Sequence, residues 1–280
     1  MDWTPGGRSS DIEDRRGGGG GFGFGGGGLG IGGFVIVLLL SLVFHRNFFS
    51  LLGTGGGSQA TTTNTRPVDD PKEEPEVQFV SFVLDDAQKN WTEILAQRNI
   101  RYPHAKLVLF RDRVASGCGM AQSATGPFYC PEDQKVYIDL GFYDELKQRF
   151  GAPGDFAQAY VLAHEIGHHV QNVLGIERQM QDAIENGANK NEMSVRLELQ
   201  ADCFAGIWAH TTDQRHMLDA SDAKEAINAA ASVGDDRLQR MSGRNVSPES
   251  FTHGSSEQRM HWFQEGFSSG DINSCNTFAH

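Results

Sequence analysis

The sequence has few positive charges for its length. Its 280 residues include 24 Lys and Arg against 36 Asp and Glu, which gives a formal net charge of -12. Proteins that bind nucleic acids neutralise phosphates with Lys and Arg. We therefore expect no nucleic-acid partner.

The sequence also has few cysteines, and none of them forms a CxxC pair. The four are Cys118, Cys130, Cys203 and Cys275. Their spacing argues against a zinc cluster ligated by cysteines. An even number suits two disulfides in an oxidising compartment, with Cys118 and Cys130 bracketing a short loop and Cys203 joining Cys275 by elimination. Four reduced thiols are the alternative.

Charge is absent from Gly17 to Phe44, a stretch that is rich in glycine at its start and apolar at its end. A membrane-spanning helix needs about 20 mostly apolar residues. We predict a cytoplasmic Gly-rich segment over residues 1–28 and a single-pass transmembrane anchor over residues 29–46. More arginines precede the segment than follow it, which predicts that the domain after it lies outside the cytoplasm. A cleaved signal peptide and a soluble Gly-rich arm are the alternatives.

The remainder of the chain divides into a linker and one domain. Residues 53–76 are rich in Gly, Thr, Pro and acidic residues, which predicts a flexible linker. Residues 77–280 have the composition of a globular domain. Strands predicted at residues 105–110 and 135–140 precede a series of helices, and this order predicts an α+β fold.

The segment LAHEIGHHVQ contains an HExxH motif. In a helix over residues 155–174, His164 and His168 lie one turn apart on the same face, where two imidazoles can bind one Zn²⁺. Glu165 is rotated by about 100° and can act on a water beside the metal. Surface groups on an amphipathic helix are the alternative. The apolar neighbours argue against it, because buried polar groups need partners.

A zinc site of this kind needs a third protein ligand. The segment RLELQADCFAGIWAH provides Glu198 and Asp202, one helical turn apart. We expect Glu198 to be the third ligand and Asp202 to orient a ligating histidine through a hydrogen bond. An exposed acidic helix face is the alternative.

Four segments resemble the neutral zinc metallopeptidase family of bacterial membrane-anchored proteins: SGCGMAQSATGPFYCPEDQKVYIDLGFYDEL, VLAHEIGHHVQ, RLELQADCFAGIWAH and FTHGSSEQRMHWFQEGF. They cover most of residues 101–271, and the family is similar to the gluzincins, in which a distal Glu follows HExxH. The resemblance implies a zincin-like domain with a small sheet, an active-site helix and further helices after it. It implies zinc ligands at His164, His168 and Glu198, a base at Glu165 and an orienting role for Asp202.

Together these features predict a membrane-anchored zinc peptidase that acts on peptide or protein substrates outside the cytoplasm, for example in the periplasm. His253, in a loop before the last helix, is the candidate donor to the oxyanion. The alternative for His253 is a structural role in that loop. A zinc-containing binding or scaffold domain without proteolytic activity, and a zinc amidase acting on a cell-wall component, are the alternative functions. The sequence contains no indication of oligomeric state.

Overall fold

The structure is a computed structural model that describes residues 1–17, 71–123, 126–148, 151–152, 154–219 and 221–279. Its strands are β1 (Ile12–Asp14), β2 (Lys106–Phe110), β3 (Arg113–Ser116), β4 (Gly119–Gln122), β5 (Phe128–Cys130) and β6 (Lys135–Asp139). Its α-helices are α1 (Glu74–Ala96), α2 (Gly141–Gln148), α3 (Asp155–Val173), α4 (Ile176–Glu185), α5 (Lys190–Gln214), α6 (Asp222–Ser232), α7 (Asp235–Met241) and α8 (Ser256–Ser269).

Four strands form one sheet in the order β1-β2-β6-β5. β2 is parallel to both β1 and β6, whereas β5 is antiparallel to β6 and forms an edge of the sheet. Alternate residues of β2 serve two apolar clusters: Leu107 and Leu109 join the main core, and Val108 and Phe110 join a smaller core. This burial on both faces explains why β2 is a continuous apolar run.

Helix α3 occupies the centre of the domain, where it contacts α1, α5, α6 and the strands β5 and β6. Its apolar residues surround the helix instead of forming one stripe, as expected of a helix that is buried on most sides. Phe156 of α3 stacks on Trp208 of α5, with ring centroids 5.7 Å apart. The sheet and the helices α1 and α5 thereby hold α3 in place.

Two helix crossings are close because glycines occupy them. A Cβ atom at Gly167 of α3 would lie 3.0 Å from the carbonyl oxygen of Ala201 on α5. A Cβ atom at Gly266 of α8 would lie 1.9 Å from the carbonyl oxygen of Cys203, also on α5. Helix α5 is therefore held within backbone contact of both α3 and α8.

The first 17 residues belong to the folded domain. Strand β1 pairs with β2, with Ile12 opposite Leu107, and the buried Arg16 binds Glu73 just before α1, with Nη1 2.6 Å from Oε2. Helix α1 begins at Glu74, inside the stretch that was predicted to be linker. Most of that predicted linker, residues 53–76, lies outside the described residues.

The predicted α+β fold is confirmed, whereas the transmembrane helix that was predicted to precede it is not found among the residues that the structure describes. Among the described ranges, none of the helices combines the length and the apolar character needed to cross a membrane. The long helices α1 and α5 carry charged residues along their length, because their polar faces meet solvent or buried partners. The predicted anchor, residues 29–46, lies outside the described residues.

Candidate metal centre

Helices α3 and α5 bring His164, His168 and Glu198 together. One ligand atom from each of these residues lies within 4.8 Å of the other two. Nε2 of His164 is 3.2 Å from Oε2 of Glu198, and Nε2 of His168 is 3.6 Å from Oε1. Two ligands at 2.0–2.1 Å from a tetrahedral Zn²⁺ are about 3.3 Å apart. The three side chains therefore fit a zinc ion.

A buried ionic network orients His164. Its Nδ1 lies 2.9 Å from Oδ1 of Asp202, which is fully buried. Arg259 of α8 binds both oxygens of Asp202, with Nε 2.8 Å from Oδ2 and Nη2 2.9 Å from Oδ1, and the hydroxyl of Tyr160 donates to Oδ1 at 2.5 Å. Since the carboxylate accepts from Nδ1, Nε2 of His164 points its lone pair at the centre.

His168 has a neutral partner in place of a carboxylate. Its Nδ1 lies 2.8 Å from Oε1 of Gln171, one turn further along α3. The amide oxygen accepts the Nδ1 hydrogen, which again leaves Nε2 free to face the centre. The two histidines thus present the same ring nitrogen to the site.

Glu165 is buried beside the two histidines, at the start of the HExxH turn. Its carboxylate accepts a hydrogen bond from the backbone N–H of Tyr129 on the edge strand β5. Burial raises the pKa of Glu165, although the neighbouring His164 and His168 oppose that effect. A carboxylate that is shielded from water and lies next to the metal ligands suits proton transfer at neutral pH.

The charges of the site favour a cation. Burial lowers the pKa of His164, but Asp202 and Glu198 outweigh burial and raise it to about 9. Burial raises the pKa of Glu198, but His253, His168 and His164 outweigh it and hold the pKa well below its ordinary value. A metal ion bound here would therefore compete with protons for the same side chains.

His253 lies at the rim of this centre. Its Nε2 is 4.0 Å from Oε1 of Glu198, and its Nδ1 is 3.4 Å from Oδ1 of Asp235. The loop that carries it precedes α8, which begins with a capping box between Ser255 and Gln258. The structure thus brings His253 to the candidate site, with Nε2 facing Glu198.

The four cysteines form two disulfides. The Cys118–Cys130 disulfide, with Cα atoms 5.8 Å apart, links the β3–β4 hairpin to the edge strand β5. The Cys203–Cys275 disulfide, with Cα atoms 5.6 Å apart, links α5 to the 3-10 turn Ile272–Cys275. All four cysteines are paired.

Sequence analysis missed four residues that contact the site residues: Tyr160, Gln171, Asp235 and Arg259. Gln171 had a usable signal, because it lies three positions after His168 in the same helix. Asp235 and Arg259 lie on helices far along the chain, and no motif connects them to HExxH. His169, the third histidine of the motif segment, faces away and bonds the carbonyl oxygen of Pro103 at 2.7 Å.

Comparison with known proteins places the chain in a family. A family profile described as "Putative neutral zinc metallopeptidase" matches residues 1–278. The "Uncharacterized protein YpfJ" of Escherichia coli strain K12 is 45% identical over 283 residues, 99% of each chain. The "Uncharacterized protein Rv2575" of Mycobacterium tuberculosis strain H37Rv is 45% identical over 188 residues, 63% of this chain and 62% of that protein. No solved structure matches the chain. Because the profile spans nearly all of its residues, the chain belongs to this neutral zinc metallopeptidase family.

Proposed function

We propose that the protein is a zinc-dependent peptidase whose metal is held by His164, His168 and Glu198. The observation that carries the proposal is the convergence of these three ligand atoms, within 4.8 Å of one another, next to the buried carboxylate of Glu165. A zinc ion held only for structure normally has four protein ligands and no adjacent base. Three ligands with a base beside them favour hydrolysis.

The chain's own groups then have distinct tasks. Zn²⁺ bound by the three ligands would supply Lewis-acid activation of a water and of the peptide carbonyl. Glu165 takes the proton of the attacking water and passes it to the leaving amine. His253 donates a hydrogen bond from Nε2 to the oxyanion that develops on the carbonyl. Asp202 keeps His164 in the tautomer that binds metal.

We also propose that the catalytic domain works outside the cytoplasm, on peptides or proteins. Two disulfides in one domain support this location, because such bonds persist in oxidising compartments. The family profile, which describes a zinc metallopeptidase, supports a peptide substrate.

The test combines metal analysis with a cleavage screen on the full-length protein. We expect about one zinc per chain in the wild type, little in the His164→Ala/His168→Ala double variant, and chelator-sensitive cleavage of a peptide library. Glu165→Gln removes the base but preserves shape, so it should keep the zinc and lose about 10²–10⁴-fold in turnover.

Equal zinc in the wild type and the double variant would refute the metal site. Zinc binding without chelator-sensitive cleavage of any peptide would refute the peptidase and favour a binding domain. Turnover of cell-wall amides alone would replace the peptidase by an amidase.

A further inference from the structure

A chain of buried amides extends from His168 to the C-terminal turn. Nδ1 of His168 is 2.8 Å from Oε1 of Gln171. Nε2 of Gln171 donates to Oε1 of Gln200 at 3.1 Å, and Nε2 of Gln200 donates to the carbonyl oxygen of Cys275 at 2.9 Å. Both glutamines are buried. Two glutamine side chains thus connect a metal ligand to a residue more than 100 positions away in the sequence.

The carbonyl oxygen of Cys275 determines which group donates and which accepts in each of these hydrogen bonds. The carbonyl of Cys275 can only accept, so Gln200 must turn its NH₂ group towards it and its oxygen towards Gln171. The NH₂ group of Gln171 also donates to the carbonyl oxygen of Leu197 at 2.7 Å. The oxygen of Gln171 is therefore left to face His168, which must carry its hydrogen on Nδ1.

The Cys203–Cys275 disulfide holds the terminal acceptor in place. Cys203 lies on α5, as do Gln200, Leu197 and the ligand Glu198. The disulfide attaches the 3-10 turn of Cys275 to that same helix. One helix therefore carries the third ligand, a link of the amide chain and the anchor of its last acceptor.

The uncharged side chains of Gln171 and Gln200 suit a site that already contains carboxylates. Asp202 is fully buried there and pairs with Arg259, and the carboxylate of Glu198 is half-buried beside it. A carboxylate in place of the Gln171 amide would add another negative charge to this site, and burying a charge that is not fully paired is costly. An amide orients the imidazole without that cost.

We propose that Gln171 and Gln200 are positioning residues that hold the ring of His168 in the orientation that binds the metal. The Cys203–Cys275 disulfide keeps the last hydrogen-bond acceptor of these glutamines, the carbonyl oxygen of Cys275, in place. The inference rests on the proposed metal site. It adds that zinc affinity depends on a C-terminal turn that contacts neither zinc nor substrate.

The experiment measures zinc affinity by chelator competition, and the visible spectrum of the Co²⁺ form, on full-length variants. Gln171→Met keeps the shape but removes the acceptor, and should weaken zinc binding by about 10–100-fold and change the Co²⁺ bands. Gln200→Met should weaken binding less, because Leu197 still holds Gln171. Gln171→Glu restores an acceptor oxygen and should recover part of the affinity lost in Gln171→Met.

The two disulfides provide a matched control. Cys203→Ala/Cys275→Ala should lower zinc affinity, whereas Cys118→Ala/Cys130→Ala should leave it at the wild-type value, although both changes lower the melting temperature. Equal zinc affinity in Gln171→Met and wild type would overturn the proposal, as would an equal loss in both disulfide variants. If Gln171→Met does not fold, Gln200→Met decides by the same readout.

Failure of this inference is distinguishable from failure of the metal site. Wild-type protein that binds no zinc refutes the metal site itself. Zinc that is lost in His168→Ala but bound normally by both glutamine variants refutes only the positioning role.

Discussion

The carboxylate of Asp235 organises the loop that brings His253 to the metal centre. Its Oδ2 accepts backbone N–H bonds from Thr252 and His253, both at 2.7 Å, and from Gly254 at 3.2 Å. Burial raises the pKa of Asp235, but its bonds to His253 and to the loop amides outweigh burial and lower it. Asp235 is thus charged at neutral pH and fixes both the backbone and the ring of His253.

Two substitutions separate the role of the ring from that of the loop. His253→Ala should keep the zinc content and lower kcat by about 10²–10³-fold with little change in KM, because it removes a donor to the oxyanion. Asp235→Ala should also lower kcat, and should lower the free energy of unfolding by about 1–3 kcal/mol, since three backbone amides, two of them buried, lose their acceptor. Steady-state kinetics and urea unfolding measure both effects. A normal kcat in His253→Ala would leave the histidine a purely structural residue.

The residues of the site divide by how far their partners lie along the sequence. His164, Glu165 and His168 could be predicted because one helical turn fixes their geometry, and Glu198 and Asp202 because a second apolar helix carries them. Arg259 could not be predicted, because its partner Asp202 lies 57 positions away. An arginine in an otherwise ordinary helix gives no sign of being buried.

Among the elements, the crossing of α5 and α8 depends most on small residues. Gly266 faces the carbonyl oxygen of Cys203, and Gly206 faces the carbonyl oxygen of Phe263, where a Cβ atom would come within 2.2 Å. The same crossing places Arg259 against Asp202. Any side chain at these glycines would push the two backbones apart.

Gly266→Ala should therefore destabilise the protein by about 1–3 kcal/mol or more, the usual effect of overpacking a core. It should also weaken zinc binding, because the shift of α8 moves Arg259 away from Asp202. Gly141→Ala is the control: Gly141 lies in α2, and its added Cβ atom would meet only Asp139 Oδ1 at an ordinary 3.4 Å. Thermal unfolding and chelator competition measure the two effects. Equal results for both variants would contradict the role of the crossing.

Element boundaries were harder to predict than the elements themselves. Helix α5 extends beyond the segment RLELQADCFAGIWAH at both ends, from Lys190 to Gln214, because the side chain of Asn189 caps its start and the added turns are polar. Strand β1 was not predicted at all. Its three residues include two acids, and only pairing with β2 makes them a strand.

At the scale of the whole molecule, ion pairs hold the N-terminal arm, residues 1–17, against the domain. Asp11 bonds Lys106 at 2.7 Å, and Glu13 bonds Lys135 at 2.6 Å. Asp14 bonds Arg16 at 2.6 Å within the arm, and Arg16 bonds Glu73 of the domain at 2.6 Å. Partial burial raises the pKa of each of these carboxylates, but the hydrogen bonds from Lys and Arg outweigh it and lower each pKa.

Acid should release this arm before it unfolds the core. Because their pKa values are lowered in the folded state, the three carboxylates stabilise the folded arm at every pH above their ordinary pKa values. Those ordinary pKa values are 3.8 for Asp11 and Asp14 and 4.5 for Glu13. That stabilisation is lost as the pH falls through the lower folded values. Hydrogen exchange measured as the pH is lowered from about 5 should show the amides of β1 losing protection while those in the middle of α5 keep theirs. Simultaneous loss in both would show that the arm is not a separate unit.

Strand pairing also constrains how the chain can be arranged about a lipid bilayer. Ile12–Asp14 is hydrogen-bonded to β2 of the folded domain, and Arg16 contacts Glu73, which follows residues 18–70 in the sequence. A bilayer cannot separate two strands of one sheet, so both flanks of that stretch lie on the same side. The predicted arrangement, with residues 1–28 in the cytoplasm and the domain outside, is incompatible with this pairing. Gly6→Cys and Met241→Cys introduce cysteines at two exposed positions. Both should react with an impermeant maleimide added on the same side of the membrane. Labelling from opposite sides would mean that β1 does not join the sheet in the cell.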